Sequence, residues 1–345
     1  MWLFVSIDLI HDVYDVYIVF LNYKLNLVTL ICFFLFIGGV GKSAQLGLHT
    51  WLPDAMEGPT PVSSLLHAAT MVTAGVFLLI RSSPLFEYAD SVLVWVVLIG
   101  GVTALFSAII GVFQYDVKKI IAYSTCSQLG YMFFSSGLSN YHVAIFHLFN
   151  HAFFKALLFL SAGSIIHALY DEQDMRRMGG LVNYLPYTYL CMLVGSLAIM
   201  GVPFLTGFYS KDLILELAFS RYIVESPFVH FLGVSAAFFT SVYSIRLLLF
   251  VFYYDNNSFR SFLSLHESNS FMFVAMFVLF LSSVFVGYIF SDLFVGWGSF
   301  LWGHSIFVLP SHLNYVEADF LSPVVKNLPV LISMLGLLCG VFCIN

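Results

Sequence analysis

Residues 141 to 169 read YHVAIFHLFNHAFFKALLFLSAGSIIHAL. The run exceeds the roughly 20 apolar residues that carry a helix across a bilayer, and it lacks the alternation of a barrel strand. Backbone at membrane depth finds no water to bond, so such a run spans as a helix. His147, His151 and Lys155 interrupt it. At about 100° per residue, positions four apart stand about 40° apart, and the three residues form one polar stripe on an otherwise apolar helix. A lysine at bilayer depth costs about 2.5 to 3.5 kcal/mol on insertion scales, so stability does not explain Lys155. Lys24 and Lys326, near segment ends, can instead extend to the interface.

Outward from this stretch the pattern repeats. Apolar segments at 25 to 50, 64 to 81, 91 to 113, 118 to 138, 185 to 219, 228 to 254, 271 to 290 and 328 to 344 join it. The reading is an all-α, polytopic membrane bundle of about nine transmembrane helices. The bulk agrees: 60% of residues are hydrophobic and 9% charged, with a mean hydropathy of +0.94, against about a quarter charged in soluble domains. The net charge of -6 is scattered, with no basic run, which points to membrane lipids and membrane proteins as partners and away from nucleic acid.

Cys32, Cys126, Cys191, Cys339 and Cys343 form no CxxC pair and no iron-sulfur spacing. Residues 1 to 24 carry Asp8, Asp12 and Asp15 and no basic leader, and read as an interfacial segment. Lys118, Lys119, Arg176 and Arg177 fall on one face, which predicts that this face meets the negative compartment.

Two segments are interrupted. GGVGKSAQLGLHTWLPDAMEGPTPVSS (38 to 64) carries Lys42 ahead of Pro53, Pro59 and Pro61, and LAIMGVPFLTGFYSKDLILEL (197 to 217) carries Gly201, Pro203 and Gly207 ahead of Lys211 and Asp212. Proline removes a backbone donor and clashes with the preceding turn, so both read as broken helices whose freed carbonyls face protein or a hydrated cavity. Paired broken helices mark ion pathways built on internal repeats. Prolines that only kink helices for packing would not account for a lysine beside each break. Three lysines at depth would cost on the order of 7 to 10 kcal/mol together. Amines held out of water release protons more readily, histidines titrate near neutrality, and a water-linked chain of both is a proton relay. His67, alone on its helix, joins the reading only through Lys42.

Other signals carry less. GVGKSA (39 to 44) resembles the end of a phosphate loop, but Phe36 stands where that loop needs glycine. His147 and His151 have zinc-like spacing without a carboxylate or cysteine to join them, so no metal is expected. Asn256-Asn257-Ser258 fits a glycosylation pattern too short to weigh.

Five strings together carry a family resemblance: GKSAQLGLHTWLPDAMEGPTPVSSLLHAATMVTAGVFLLIR (41 to 81), DVKKIIAYSTCSQLGYM (116 to 132), HAFFKALLFLSAGSIIH (151 to 167), DEQDMRRMGGL (171 to 181) and PFLTGFYSKDLILELA (203 to 218). They resemble the NADH dehydrogenase subunit 5 family, the distal antiporter-like, proton-pumping subunits of respiratory complex I. The resemblance implies two inverted five-helix repeats, each with a broken helix bearing a buried lysine, and proton translocation driven by NADH:ubiquinone oxidoreduction elsewhere in the complex. It implies proton-relay roles for Lys42, His67, His147, His151, Lys155, Lys211 and Asp212. It implies no cofactor in this chain, with NADH, FMN, iron-sulfur clusters and ubiquinone in other subunits. The Phe-rich composition, with 38 Phe and 19 Tyr, adds a mitochondrial inner-membrane expectation.

The same resemblance divides the chain into an interfacial 1 to 24, the end of a first repeat at 25 to 84, a second repeat at 85 to 256 and C-terminal transmembrane helices at 257 to 345. It also implies partners: other membrane-arm subunits, and a separate chain supplying helices that the family has before Lys42 and a carboxylate for that lysine. The family's long lateral helix is likewise expected from elsewhere. Two alternatives stand beside it, a chain of a stand-alone multisubunit cation/proton antiporter and a non-pumping structural subunit of the same arm.

Overall fold

A computed structural model describes residues 17–20, 23–221, 225–257, 265–296, 298–299, 302, 305–313 and 320–344. Asp8, Asp12 and Asp15, with most of the expected interfacial segment, lie outside the described residues. A short antiparallel ribbon, β1 (Tyr17–Phe20) and β2 (Tyr23–Asn26), precedes the helices. Asn26 then starts α1 (Leu27–Lys42) by accepting from the Val28 N–H at 2.9 Å, which satisfies one of the donors a helix start leaves open.

The helices that follow are α2 (Thr60–Arg81), α3 (Asp90–Phe113), α4 (Val117–Gly137), α5 (Tyr141–Ala168), α6 (Pro186–Met200) and α7 (Leu213–Ser220). The last three are α8 (Glu225–Leu248, continuing through a wider turn to Tyr253), α9 (Ser270–Phe294) and α10 (Pro323–Ile344). Among the described residues six are long and apolar enough to cross a membrane: α2, α3, α5, α8, α9 and α10. α1 and α6 are apolar but shorter.

The layering follows hydropathy inverted for lipid. α4 sits at the centre, buried along its length except at Lys119 and Tyr123. It crosses α3 where Gly100 and Gly130 meet, and a Cβ on Gly130 would lie 2.7 Å from the Ala104 nitrogen and the Gly100 oxygen. Small residues let helices approach closely where lipid supplies no hydrophobic drive. α9 lies outermost, with Phe271, Phe277, Phe285 and Tyr288 exposed, an apolar surface suited to acyl chains.

The two breaks differ from each other. The break expected at 38 to 64 is a full interruption. α1 stops at Lys42, short turns at Trp51–Asp54 and Ala55–Glu57 follow, and α2 begins afresh. Pro59 caps that start and Pro61 lies in its first turn, where a missing N–H goes unnoticed. Gln45 accepts from Thr103 Oγ1 at 2.6 Å, which sets the connection against the middle of α3. The second break is a helix interruption as expected: α6 ends at Met200, the chain turns through left-handed Gly201 (φ 86°) and Phe204 (φ 71°), and a widened turn, Phe208–Asp212, leads into α7.

One face gathers the basic residues. Val117 N–H donates to Gln173 O at 3.1 Å and Met175 N–H to Tyr115 O at 3.0 Å, so the loops after α3 and α5 pair. Arg176 stacks over Tyr115 at 4.2 Å and its bond to Asp174 holds that carboxyl below the usual range. Lys118, read from sequence as a loop charge, is instead buried in the first turn of α4 and donates to Gly58 O at 3.0 Å.

Candidate proton-relay site

α5 runs unbroken, and His147, His151 and Lys155 are fully buried along it. The stripe therefore faces protein. Lys155 Nζ donates to Ser124 Oγ and, at 3.4 Å, to Ile121 O, both on α4. His151 packs edge-on to Phe154 at 5.4 Å, and neither of its ring nitrogens has a hydrogen-bond partner among the described residues. Its centroid stands 6.4 Å from that of His147.

His147 joins three elements. Nε2 lies 3.0 Å from Gln128 Oε1 on α4 and Nδ1 lies 2.9 Å from Ser210 Oγ in the turn before α7. With the amide so placed, its oxygen can only accept, so Nε2 carries the hydrogen and Nδ1 accepts from the Ser210 hydroxyl. That hydroxyl has a competing acceptor, Thr206 O, at 3.4 Å. The shorter contact to histidine wins. Ser210 thus ties the α5 stripe to the turn that carries Lys211.

Lys211 is held by the break itself. Its Nζ donates to Ile199 O at 3.3 Å, Met200 O at 3.5 Å and Thr240 Oγ1 at 3.2 Å, and lies 5.4 Å from the Tyr131 ring. The two carbonyls belong to the last turn of α6, where a helix leaves acceptors open and its dipole is negative. Glycine makes the approach possible: a Cβ on Gly207 would lie 1.7 Å from Ala198 O. Asp212 is buried beside Lys211, and its Oδ2 has no hydrogen-bond partner among the described residues. Neither Lys155 nor Lys211 has a carboxylate at ion-pair distance among the described residues.

These sequence patterns match the sequence pattern of a known transmembrane family, described as NADH:quinone oxidoreductase/Mrp antiporter, over residues 3–240. The chain belongs to this family. NADH-ubiquinone oxidoreductase chain 5 of Acanthamoeba castellanii is 60% identical over 94% of this chain and 48% of its own length. The Chondrus crispus protein of the same name is 55% identical over 99% of this chain and 53% of its own. The chain therefore spans about half the length of the curated relatives it matches. Among solved structures, a chain of the Mrp complex from Dietzia sp. DQ12-45-1b superposes with a TM-score of 0.70 and 28% identity, covering 92% of this chain and 34% of that one. The antiporter-like helical fold read from the broken helices is the fold of the NADH:quinone oxidoreductase/Mrp family.

Two expected site residues stand apart from the cluster. Lys42, expected to be buried, is exposed in the last turn of α1, because no described element packs over it. His67 is half-buried against Trp51, with ring centroids 6.2 Å apart, and no hydrogen bond joins it to Lys42 among the described residues. Conversely, sequence reasoning did not single out Ser124, Gln128, Ser210 or Thr240. Their signal was the polar run Ser124 to Gln128 inside an apolar segment and a serine directly before a lysine. Glu87, fully buried, was also passed over.

Proposed function

We propose that the chain is part of the distal proton-translocating subunit of NADH:ubiquinone oxidoreductase in the mitochondrial inner membrane. The observation that carries this reading is the His147 bridge, which joins a buried stripe of titratable groups on α5 to Ser210 beside Lys211. A proton arriving near Lys155 passes by way of His151 and His147 to Lys211, with His147 Nδ1 freed to take it when Ser210 turns its hydroxyl to Thr206 O, and with water completing the steps between groups that share no hydrogen bond. Lys211 receives it among carbonyls that stabilise the ammonium form, and Asp212 accepts it onward. The names and 53 to 60% identities of the chain 5 relatives support this assignment over a stand-alone antiporter, whose structural counterpart is 28% identical.

On the same reading 25 to 84 closes a first repeat, 85 to 256 forms a second and 257 to 345 supplies C-terminal helices. Lys42 and His67 serve the first repeat. A neighbouring membrane helix with a carboxylate covers Lys42, because an exposed ammonium at the end of α1, beside exposed Phe33, Phe34 and Ile37, needs both an apolar cover and a counter-charge. Redox cofactors and quinone belong to other subunits.

The test replaces Lys155 or Lys211 with methionine, which keeps the stem volume and removes the proton site. Proton translocation by the complex in sealed vesicles should fall severalfold while assembly is retained. A normal proton-to-electron ratio in both variants would overturn the relay.

A further inference from the structure

At the face opposite the paired basic loops, residues 305 to 313 fold back onto the region before α3. Arg81 Nη1 donates to Ser305 O at 3.2 Å, the Phe307 N–H to Ser83 Oγ at 3.2 Å and the Leu309 N–H to Glu87 Oε2 at 3.0 Å. Phe307 stacks on Tyr88. The centre of the contact is Glu87, a carboxylate wholly removed from solvent, whose Oε2 lies 2.7 Å from His312 Nδ1 and whose Oε1 accepts from Tyr141 OH at 2.9 Å. The other imidazole nitrogen lies 3.4 Å from Asp90, whose side chain is 81% exposed.

This knot reaches both helices of the relay. Tyr141 begins α5, the helix of His147, His151 and Lys155. Arg221 directly follows α7, and its Nη2 donates to His312 O at 2.9 Å. The peptide that carries the imidazole therefore also holds the end of the element that Lys211 introduces.

We propose that Glu87 and His312 are positioning residues for the relay, forming a protonation-dependent clamp that holds the ends of α5 and α7 in register so that His147 meets Ser210. The clamp rests on the proton-translocation reading only for its purpose; its existence does not depend on it. The groups facing the imidazole are Glu87, Asp90 and Arg221, with Tyr141 on the far oxygen of Glu87. The hydrogen bond to Glu87 raises the pKa of His312 above its ordinary value, burial opposes the shift, the charges of Glu87 and Asp90 add to it, and Arg221 opposes it. A base with a raised folded-state pKa contributes stability that is fully present below about 6.5, the unfolded value, and is lost as pH rises through the folded value. The clamp is closed in acid and opens in alkali.

Hydrogen exchange of the intact complex in its membrane, read by mass spectrometry on peptides covering 208 to 221 and 305 to 313 and corrected for intrinsic rates, tests this from about pH 6 to about pH 9. Protection should fall about tenfold per pH unit between the unfolded and the folded value of His312. Glu87→Gln should move the transition to lower pH, His312→Gln should abolish it, and the pH profile of proton translocation should shift with Glu87→Gln in the same direction. A flat profile in the unmodified complex, or a transition that survives His312→Gln, overturns the clamp. If the variants fail to assemble, the unmodified profile decides. If Lys155→Met and Lys211→Met both leave translocation intact, the relay reading falls while the exchange profile still judges the clamp.

Discussion

Lys42 and Lys211 follow similar sequence, a glycine-interrupted apolar run ending in lysine, yet α1 leaves Lys42 exposed while the second break buries Lys211 almost completely. The local chain does not make the difference. At Lys211 the chain turns back on itself, so the end of α6, Thr240 on α8 and Tyr131 on α4 all converge on one ammonium. At Lys42 the chain runs on into a connection that packs towards α3 and α4, and the lysine is left on the outer side. A buried lysine is thus a property of what is packed across a break, and a break is only the occasion for it.

The sharpest way to break this contrast is steric. Gly207→Ala places a methyl 1.7 Å from Ala198 O, whereas the same change at Gly38 in α1 meets nothing within 4 Å. Thermal unfolding of the assembled protein should show Gly207→Ala destabilised by about 3 kcal/mol, with Gly38→Ala neutral or slightly stabilised. Equal effects would mean that the two breaks are packed alike.

A smaller effect separates the two lysines. Thr240→Val keeps the volume of the side chain and removes one acceptor from Lys211, which should cost about 1.5 to 3 kcal/mol where the amine is charged. Lys42→Met removes no hydrogen bond among the described residues and should change the stability of the chain by less than about 0.5 kcal/mol. A large loss from Lys42→Met in the intact assembly would sharpen the contrast differently, by revealing the counter-charge proposed to cover it. A loss smaller than that of Thr240→Val is expected from Ser43→Ala, which removes the 2.7 Å bond to Val72 O that ties the end of α1 to α2. It should cost about 1 kcal/mol in the same melt, and no loss at all would show that the first break is held by apolar packing alone.

The residues themselves explain how much could be read in advance. Hydropathy located the six long apolar helices because a bilayer imposes one length and one backbone solution, and periodicity alone aligned His147, His151 and Lys155, since a stripe on one helix is local geometry. The interruption at 197 to 217 was legible because glycine and proline act on the adjacent backbone. The prolines at 53, 59 and 61 marked the first break, but the same residue that breaks a helix interior also begins one, and only the neighbouring fold shows that Pro59 and Pro61 start α2.

The sequence by itself determined that this protein is a membrane helix bundle, which lysines and histidines lie within its apolar runs, and through its longest strings which family it joins. The tertiary structure decided that Ser210 meets His147 across 63 positions, that α6 turns its open carbonyls on Lys211, that Lys42 stands exposed, and that His312 closes on Glu87 from 225 residues away. Periodicity reports only which residues share a face of one element; contacts between elements depend on crossing angles and loop paths that no local pattern encodes.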